Sequence, residues 1–341
     1  MAVSNNQTHH FLTWIATQDI IQTDSHILYD DMETQSGYSL PVIYQPFDPQ
    51  RRGHWHDAGL IQDFLHAARI AGKKVLDFGP GDGWPSLLIA PFVAEVVGVD
   101  SSEKRVRVCK ENAYRMNIRN ATFVHYEAGK ALPFPDESFD GVVAASSVEQ
   151  CPNPREILSE FYRILKPGGR LRMYYEGLSM YKGGKEYESW IFNTKDNRCS
   201  MLIYLRDIPG EKTVHYKIDF SLAKEVLMQE MNMADDAGIF SLDSAALEKL
   251  NPYIDAVYTY TLLHPSCATW IQWLKEAGFS VAKPTHNAGS LAVAMYESCT
   301  ADDRENMSLS DIYERINTIA PWVCELEAPM DNNDPLILAI K

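Results

Sequence analysis

The turn between a predicted strand and a predicted helix constrains the fold of this chain most strongly. It lies in VLDFGPGDGW, residues 75–84, where an apolar run ends in the carboxylate of Asp77 and glycines follow at every second position. Gly79, Gly81 and Gly83 each give up the side-chain contacts that such a turn could make. The pattern therefore predicts that a ligand containing a nucleotide lies against this backbone.

Predicted strands and helices alternate along the chain around this turn. Apolar residues from Leu60 to Ala68 have helical spacing, and a helix with Asn153 as its cap is predicted in 153–169. Further strands are predicted at 95–100, 121–127, 140–147, 170–176 and 279–283. Strands separated by helices predict an α/β fold with a parallel sheet and helices on both faces. A last, antiparallel edge strand is predicted at 335–341, with 291–297 as the alternative if that segment is not a helix.

About ninety residues, 177–265, separate the fifth strand from the next predicted helix. Loops longer than about 15 residues usually have a structure or a function of their own. A helix is predicted over 241–250, and a hairpin is predicted to turn at Pro209-Gly210. The second strand of this hairpin has Val214, Tyr216, Ile218 and Phe220 on one face and His215, Lys217 and Asp219 on the other. We therefore expect an α+β insertion over 177–265 that covers the active site.

A dinucleotide is the weaker of two interpretations of these glycines, since a frame of Gly81, Gly83 and Ser86 is sterically better but leaves Gly79 unexplained. A G-x-G-x-x-G pattern that starts at Gly79 places Trp84 where close packing of helix on strand needs a small residue. The carboxylate of Asp77 would also repel a pyrophosphate, whereas it would attract a cationic ligand.

Five segments resemble one known family, in the order that the family has them. They are VLDFGPGDG (75–83), VVGVD (96–100), YEAGKALPFPDESFDGVV (126–143), RILKPGGRL (163–171) and WLKEAGFSV (273–281). The family is the class I S-adenosylmethionine-dependent methyltransferases, and the resemblance is closest to the type 11 group. It implies a Rossmann-like seven-stranded methyltransferase sheet with helices on both faces and a large α+β insertion after the fifth strand.

The resemblance also implies a division of the chain. The methyltransferase domain would comprise 57–176 and 266–341, and 177–265 would be an inserted substrate or cap region. Residues 1–56 would form an N-terminal segment over the active site.

The resemblance implies S-adenosyl-L-methionine as the cofactor. Asp100, at the end of the second strand, would accept hydrogen bonds from both ribose hydroxyls. Glu127, where an aspartate is commoner, would accept from the adenine amino group, and the Ala128 backbone N–H would serve a ring nitrogen. Ser146 either lines the cofactor or only terminates a strand. The predicted cofactor site comprises Asp77, Phe78, Gly79, Pro80, Gly81, Gly83, Asp100, Ser101, Glu127, Ala128 and Ser146.

Composition argues against several partners. The chain has 31 Lys+Arg against 46 Asp+Glu, a formal charge of −15, and an acidic surface repels nucleic acid. A start without a signal peptide and the absence of an apolar run of about 18 residues predict a soluble, cytoplasmic protein without a membrane span. The six cysteines form no C-x-x-C pair, and no cluster of oxygen ligands for Mg²⁺ stands out, so no metal is expected.

The candidates for a general base are His54 and His56 in GHWHDAG, which precedes the first domain helix, and Glu149, beyond the fourth strand. Each has an alternative role as a surface or solvated residue. A base is needed only if the methyl acceptor still carries a proton. The N/D-P-P-Y/F tetrad of some N-methylating enzymes is missing, since the fourth strand is followed by SSVEQCPNP (146–154).

The predicted function is methyl transfer from S-adenosylmethionine to an oxygen, nitrogen or carbon atom of a small, partly apolar metabolite. An insertion that covers the site favours a small acceptor, because it can exclude water and align one atom. Two alternatives stay open: a non-catalytic cofactor-binding protein that acts as a sensor or partner subunit, and a protein methyltransferase. The sequence predicts neither the acceptor nor an oligomeric state.

Overall fold

The structure is a computed structural model that describes residues 5–24, 46–178, 187–194, 196–233, 237–238, 244–330 and 336–341. Parts of the predicted N-terminal segment and of the predicted insertion, including the start of the helix predicted at 241–250, lie outside these residues. The chain divides into two units, which are described separately. The first lies within 38–177 and 266–341, and the second within 1–37 and 178–265.

The strands and helices are numbered in chain order. The strands are β1 Ile20–Gln22, β2 Lys74–Phe78, β3 Glu95–Asp100, β4 Ala121–His125, β5 Phe139–Ala145, β6 Leu165–Tyr174, β7 Tyr187–Asn193, β8 Cys199–Asp207, β9 Lys212–Phe220, β10 Ala237–Gly238, β11 Ile254–Leu263, β12 Val281–Thr285 and β13 Leu336–Ile340. The helices are α1 Asn5–Ile15, α2 Arg52–Ala67, α3 Ser86–Ile89, α4 Glu103–Arg115, α5 Pro154–Ile164, α6 Lys224–Glu230, α7 Ser244–Leu250, α8 Cys267–Ala277, α9 Ala288–Ser298, α10 Ala301–Glu305, α11 Leu309–Asn317 and α12 Ala320–Val323. Short 3-10 turns occupy Ala90–Phe92, Val148–Gln150 and Asn251–Tyr253.

The first unit contains a seven-stranded sheet with the order β12-β13-β6-β5-β2-β3-β4. Strands β2 to β6 pair in parallel, and β13 is antiparallel to both of its neighbours. One face of the sheet packs on Phe161 of α5 and Trp270 of α8, and the other packs on Phe64 of α2. The predicted Rossmann-like sheet with helices on both faces is confirmed.

Two details of this sheet differ from the sequence-based expectation. The segment predicted as an edge strand, 335–341, supplies β13, which is antiparallel as expected but lies between β6 and β12. Its residues Leu336 to Ala339 are consecutive and all buried, which suits an interior strand covered on both faces. The alternative strand at 291–297 belongs instead to helix α9.

Helix α2 begins earlier than its sequence pattern suggested. It starts at Arg52, so GHWHDAG lies inside the helix and does not precede it. The expectation for this segment was wrong because the apolar stripe was taken to begin at Leu60. Trp55 and Ala58 already belong to the buried face, where they pack against Ala288 of α9.

A buried ion pair connects α2 to the centre of the sheet. The guanidinium of Arg172 in β6 donates to both carboxylate oxygens of Asp63 in α2, over 2.6 and 2.8 Å. Arg172 also donates to the hydroxyl of Thr285, at the end of β12, and to the carbonyl oxygen of His286. Asp63 in turn accepts from the backbone N–H of Ala288, at the start of α9. Residues of α2, β6, β12 and α9 therefore contact one ion pair, and both side chains of this pair are fully buried.

The second unit contains a six-stranded sheet with the order β1-β11-β9-β8-β7-β10. The predicted hairpin is strands β8 and β9, whose turn is closed by a hydrogen bond from the Glu211 N–H to the Ile208 carbonyl oxygen. One face of the sheet forms a core with the N-terminal helix α1, through residues such as Phe11 and Ile218. The segment after β6 thus contains both strands and helices, as predicted, and α1 and β1 belong to the same unit.

The Asp63–Arg172 pair provides a test of this architecture. We expect Asp63→Asn to lower the free energy of unfolding by about 3–5 kcal/mol, because it leaves a buried guanidinium without its counter-charge. The control is Glu276→Gln, which breaks the exposed Arg155–Glu276 pair and is expected to cost less than about 1 kcal/mol. Urea denaturation followed by tryptophan fluorescence measures both values. A loss below about 1 kcal/mol for Asp63→Asn would show that the pair does not anchor the unit.

Candidate active site

The glycine turn after β2 has the backbone that its sequence suggested. Gly79, Gly81 and Gly83 have φ angles of 71°, 58° and 108°, a region that residues with a side chain rarely adopt. The space beside them differs, however. A Cβ atom at Gly79 would lie 2.4 Å from the Cβ of Ser147, whereas one at Gly81 would meet only an Arg105 side-chain nitrogen, at 3.9 Å. The missing side chain of Gly79 therefore lets Ser147 pack against the turn, whereas the space beside Gly81 is open to a ligand.

Neighbouring side chains fix the path of this turn. The Ser147 hydroxyl donates to the Phe78 carbonyl oxygen over 2.6 Å, and the Cys109 thiol donates to the carbonyl oxygen of Gly81 over 3.2 Å. Asn112 of α4 donates to the carbonyl oxygen of the next residue along the turn, over 2.8 Å. The loop is therefore held from both β5 and α4, so its shape does not depend on a ligand.

Asp77 ends β2 in a buried position. Its Oδ2 atom accepts hydrogen bonds from the backbone N–H and the hydroxyl of Ser86, over 3.0 and 2.5 Å. Its Oδ1 atom is buried and accepts no hydrogen bond from any described residue. Burial raises the pKa of Asp77 to about 7, and the hydrogen bonds from Ser86 oppose that shift. Since buried polar atoms are normally paired, Oδ1 is suited to a cationic or N–H group of a ligand.

The strand order brings the other predicted cofactor residues to the same edge of the sheet. Asp100 ends β3, beside β2, and is half-buried, with its Oδ1 atom accepting from the Ser102 N–H over 2.9 Å. The neighbouring Ser101 is also half-buried. Asp100 pairs with the last residue of β4, so Glu127 and Ala128 follow just beyond that strand. The Glu127 side chain is largely exposed.

Three other predicted residues contribute mainly through their backbone. The Phe78 ring is buried against Tyr126 and Phe161, and Pro80 is buried as well, so their side chains belong to the core. Ser146 is exposed, has a φ of 49°, and donates its N–H to the Tyr174 carbonyl oxygen over 2.8 Å. It therefore links the ends of β5 and β6.

The two predicted histidines lie in the first part of α2. His54 is buried, and its Nδ1 atom accepts from the Asp48 N–H over 2.9 Å. A neutral imidazole with that acceptor occupied carries its proton on Nε2. His56 is half-buried, and a Cβ atom at Gly289 in α9 would lie 3.0 Å from its Nε2. The His54 ring is therefore held by the backbone that precedes α2, and the His56 ring lies close to Gly289 of α9.

Glu149 lies in the 3-10 turn that follows β5, and it is fully buried. Its Oε1 atom accepts from the backbone N–H of Glu176 over 2.8 Å. Its Oε2 atom is buried and has no hydrogen-bond partner within the described ranges. Burial raises the pKa of Glu149 to about 7. A carboxyl group that titrates near neutral pH and keeps one oxygen unpaired is suited to accept or donate a proton.

Ser86 and the structural role of Ser147 are not apparent from the sequence. Both are small polar residues on short elements next to the glycine turn, and only their three-dimensional neighbours distinguish them from ordinary serines. Within the part of the chain that the structure describes, no three His, Cys, Asp or Glu side chains come together as a group that could hold a metal ion. None of the described helices is long and apolar enough to span a membrane.

Comparison with known proteins identifies the class of this site. Residues 76–173 match a family model described as a methyltransferase domain. The 27-O-demethylrifamycin SV methyltransferase of Amycolatopsis mediterranei is 35% identical over 104 residues, which cover 30% of this chain and 38% of that protein. The demethylmenaquinone methyltransferase of Listeria welshimeri is 36% identical over 103 residues, 29% of this chain and 43% of that protein. The chain thus spans less than half the length of these relatives. The crystal structure of the YcgJ protein of Bacillus subtilis is 19% identical over 84% of this chain and 98% of that one, with a TM-score of 0.41.

Residues 76–173 therefore form a methyltransferase domain that is similar to those of the class I S-adenosylmethionine-dependent methyltransferases. The predicted family and cofactor are confirmed. The described residues fit that cofactor, because the unpaired Oδ1 atom of Asp77 and the open space beside Gly81 suit a ligand with an ammonium group and no phosphate.

The space beside Gly81 can be tested with matched alanine variants. Gly81→Ala and Gly72→Ala both place a side chain at positive φ with almost nothing nearby, so each is expected to lower stability by about 1–2 kcal/mol. Only Gly81→Ala should weaken binding of S-adenosylhomocysteine, by roughly tenfold or more, because its methyl group enters the space left for the ligand. Gly79→Ala should lower stability further, through its clash with Ser147. Thermal unfolding and titration calorimetry measure these effects, and wild-type affinity in Gly81→Ala would contradict the assignment.

Proposed function

We propose that this protein transfers the methyl group of S-adenosylmethionine to an oxygen, nitrogen or carbon atom of a small, partly apolar molecule in the cytoplasm. The observation that carries the proposal is the buried, unpaired Oδ1 atom of Asp77 beside an open glycine turn, as described above. When bound, the cofactor supplies an electrophilic methyl group on a sulfonium. The task of the protein is then to position the cofactor and the acceptor and to accept any proton that the acceptor loses.

In this proposal the edge of the sheet holds the cofactor at three points. Asp77 faces its ammonium group, and Asp100 accepts hydrogen bonds from the ribose hydroxyls. Glu127 and the Ala128 N–H hold the adenine. The Glu127 side chain is largely exposed, so its carboxylate can accept a hydrogen bond from the adenine amino group. The opposite charges of Asp77 and an ammonium group attract most strongly at a buried position, because little water screens them.

We propose Glu149 as the group that accepts a proton when the acceptor carries one. Of the three predicted candidates, Glu149 combines burial, a pKa near 7 and an oxygen without a hydrogen-bond partner in the described residues. His54 already accepts a hydrogen bond at Nδ1, and His56 packs on α9, so both remain secondary candidates. A buried ionisable group of this kind favours catalysis over a purely cofactor-binding role.

Two observations support a small molecule as the methyl acceptor. The two relatives above are named for a demethylrifamycin and a demethylmenaquinone, both small molecules. The formal charge of −15 disfavours nucleic acid. We further propose that residues 177–265 form the substrate or cap region and that residues 1–56 lie over the active site.

Cofactor binding is the direct test of the proposal. We expect Asp100→Ala to weaken binding of S-adenosylhomocysteine by at least about tenfold, since hydrogen bonds to a charged group contribute about 1.5–3 kcal/mol each. Glu111→Ala, which removes an exposed acid from α4, should bind like the wild type. Titration calorimetry on both variants gives the comparison. Unchanged affinity in Asp100→Ala, or tight binding of NADH to the wild type, would overturn the assignment.

The role of Glu149 predicts a specific dependence on pH. Its carboxyl group must be ionised to accept a proton, so kcat should rise with pH and level off above about 7. Glu149→Gln should lower kcat and remove this rise while leaving the affinity for S-adenosylhomocysteine unchanged.

The raised pKa also predicts an effect on stability. The folded protein favours the protonated form of Glu149, so the stability that this residue contributes is present below its ordinary pKa of 4.5 and is lost as pH rises towards 7. Glu149→Gln should therefore gain stability relative to the wild type between pH 5 and pH 8. The same pH profile in variant and wild type would exclude Glu149 as the base.

A further inference from the structure

A single residue holds the carboxylate of Asp77 in place. The backbone N–H and the hydroxyl of Ser86 both donate to its Oδ2 atom, over 3.0 and 2.5 Å. Both residues are fully buried, and Oδ1 accepts no hydrogen bond from any described residue. Turning the carboxylate away from Ser86 would break both hydrogen bonds at once. The direction in which Oδ1 points therefore depends on this serine.

The elements around Asp77 bring further titratable groups close to it. The charge of Asp100, at the end of β3, has the same sign and raises the pKa of Asp77 further, while β5 presents an apolar residue opposite Asp77. On α4, burial and the surrounding carboxylates, including Asp82, raise the pKa of the Cys109 thiol, so it stays neutral at pH 7. The guanidinium of Arg105 opposes that shift in the thiol. The contacts that oppose the effect of burial on Asp77 itself are the two hydrogen bonds described above.

The charge of Asp77 is consequently sensitive to one hydrogen bond. Burial favours the protonated acid, because an ionised carboxylate loses its hydration, whereas the donors of Ser86 favour the ionised form. The two effects leave the pKa of Asp77 at about 7, so the carboxyl group is close to half ionised at neutral pH. A hydrogen bond to a charged group typically changes a pKa by about 1 or more. Without the Ser86 hydroxyl, most molecules would therefore have Asp77 protonated at pH 7.

We propose that Ser86 is a positioning residue for the cofactor: it holds the Asp77 carboxylate by Oδ2 and keeps it ionised, so that Asp77 attracts the ammonium group. Ser86 acts through Asp77 and does not itself touch the cofactor. The inference rests on the proposed function, which assigns Asp77 to the ammonium group. One serine hydroxyl then sets the pH range over which the protein binds its cofactor tightly.

The test is the pH dependence of S-adenosylhomocysteine binding, measured by titration calorimetry of the full chain between pH 6 and pH 9. Wild-type affinity should rise with pH and level off above about 7, where Asp77 is ionised. Ser86→Ala should move the midpoint of this rise up by about one pH unit. Its affinity should then be about fivefold weaker than that of the wild type at pH 7 and nearly equal to it at pH 9. The ratio of the two affinities at each pH cancels any titration of the ligand itself.

Two further variants separate this role from a purely structural one. Ser86→Thr retains the hydroxyl and should keep the wild-type midpoint. The matched control is Ser147→Ala, which removes a hydroxyl that donates to a backbone carbonyl oxygen of the same turn and not to a carboxylate. Any loss of affinity in Ser147→Ala should be the same factor at pH 7 and pH 9. A loss of equal size at both pH values in Ser86→Ala, or an unchanged pH profile in that variant, would overturn the inference.

A second measurement covers the case in which Ser86→Ala does not fold. Calorimetry in buffers with different ionisation enthalpies counts the protons released when S-adenosylhomocysteine binds. The wild type should release about half a proton at pH 7 and about a tenth at pH 8, and a folded Ser86→Ala should release about half a proton at pH 8. Glu149→Gln should release as many as the wild type, because the other acid that titrates near pH 7 is then absent.

The outcomes distinguish this inference from the proposed function. Cofactor binding by the wild type without proton release at pH 7 would overturn the role of Ser86 and leave cofactor binding itself established. Absence of S-adenosylhomocysteine binding by the wild type at every pH would overturn the proposed function, and the inference with it.

Discussion

The buried ion pair between Asp63 and Arg172 is the interaction on which the geometry of the first unit depends. Charges removed from water are stabilising only when their hydrogen bonds are well made, and this pair is bidentate and further bonded to Thr285 and Ala288. Because Arg172 sits in the sheet opposite Val143 of β5, the pair fixes α2 against the strands that end at the active-site edge. It also joins residues that precede the insertion to residues that follow it.

Much of the first unit could be predicted from local sequence, because each strand is a short apolar run bounded by turn residues. The interior position of β13 was missed, although four consecutive apolar residues indicate burial on both faces better than an edge. Asp63 could not be predicted as an anchor, because its partner is 109 residues away. In the site, the glycines and acids were visible as a motif. The hydroxyl of Ser86, which holds Asp77, was not, because a serine in the first turn of a helix has many ordinary reasons to be there.

Two acids of the first unit, Asp77 and Glu149, share an uncommon state. Each is fully buried, each keeps one oxygen without a partner in the described residues, and burial raises the pKa of each to about 7. Both therefore favour the protonated form in the folded chain, and each loses part of its contribution to stability as pH rises from about 4 towards 7. A cation beside Asp77 would stabilise the ionised form, so in the proposed cofactor site, binding of the ammonium group would be coupled to release of a proton from this residue. Buried acids of this kind make the folded protein less stable near neutral pH, but they provide groups that can bind a ligand or transfer a proton.

The position of β13 has a consequence for how the chain is made. Strand β12 has β13 as its sheet neighbour, yet about fifty residues are synthesised between the two. While the ribosome produces those residues, β6 presents an unpaired edge and β12 has no strand beside it to pair with. Open edges of this kind recruit other extended chains. Only the pairing of residues 336–340 with both β6 and β12 closes this gap in the sheet, so loss of this last strand would leave an open edge of the kind that promotes aggregation.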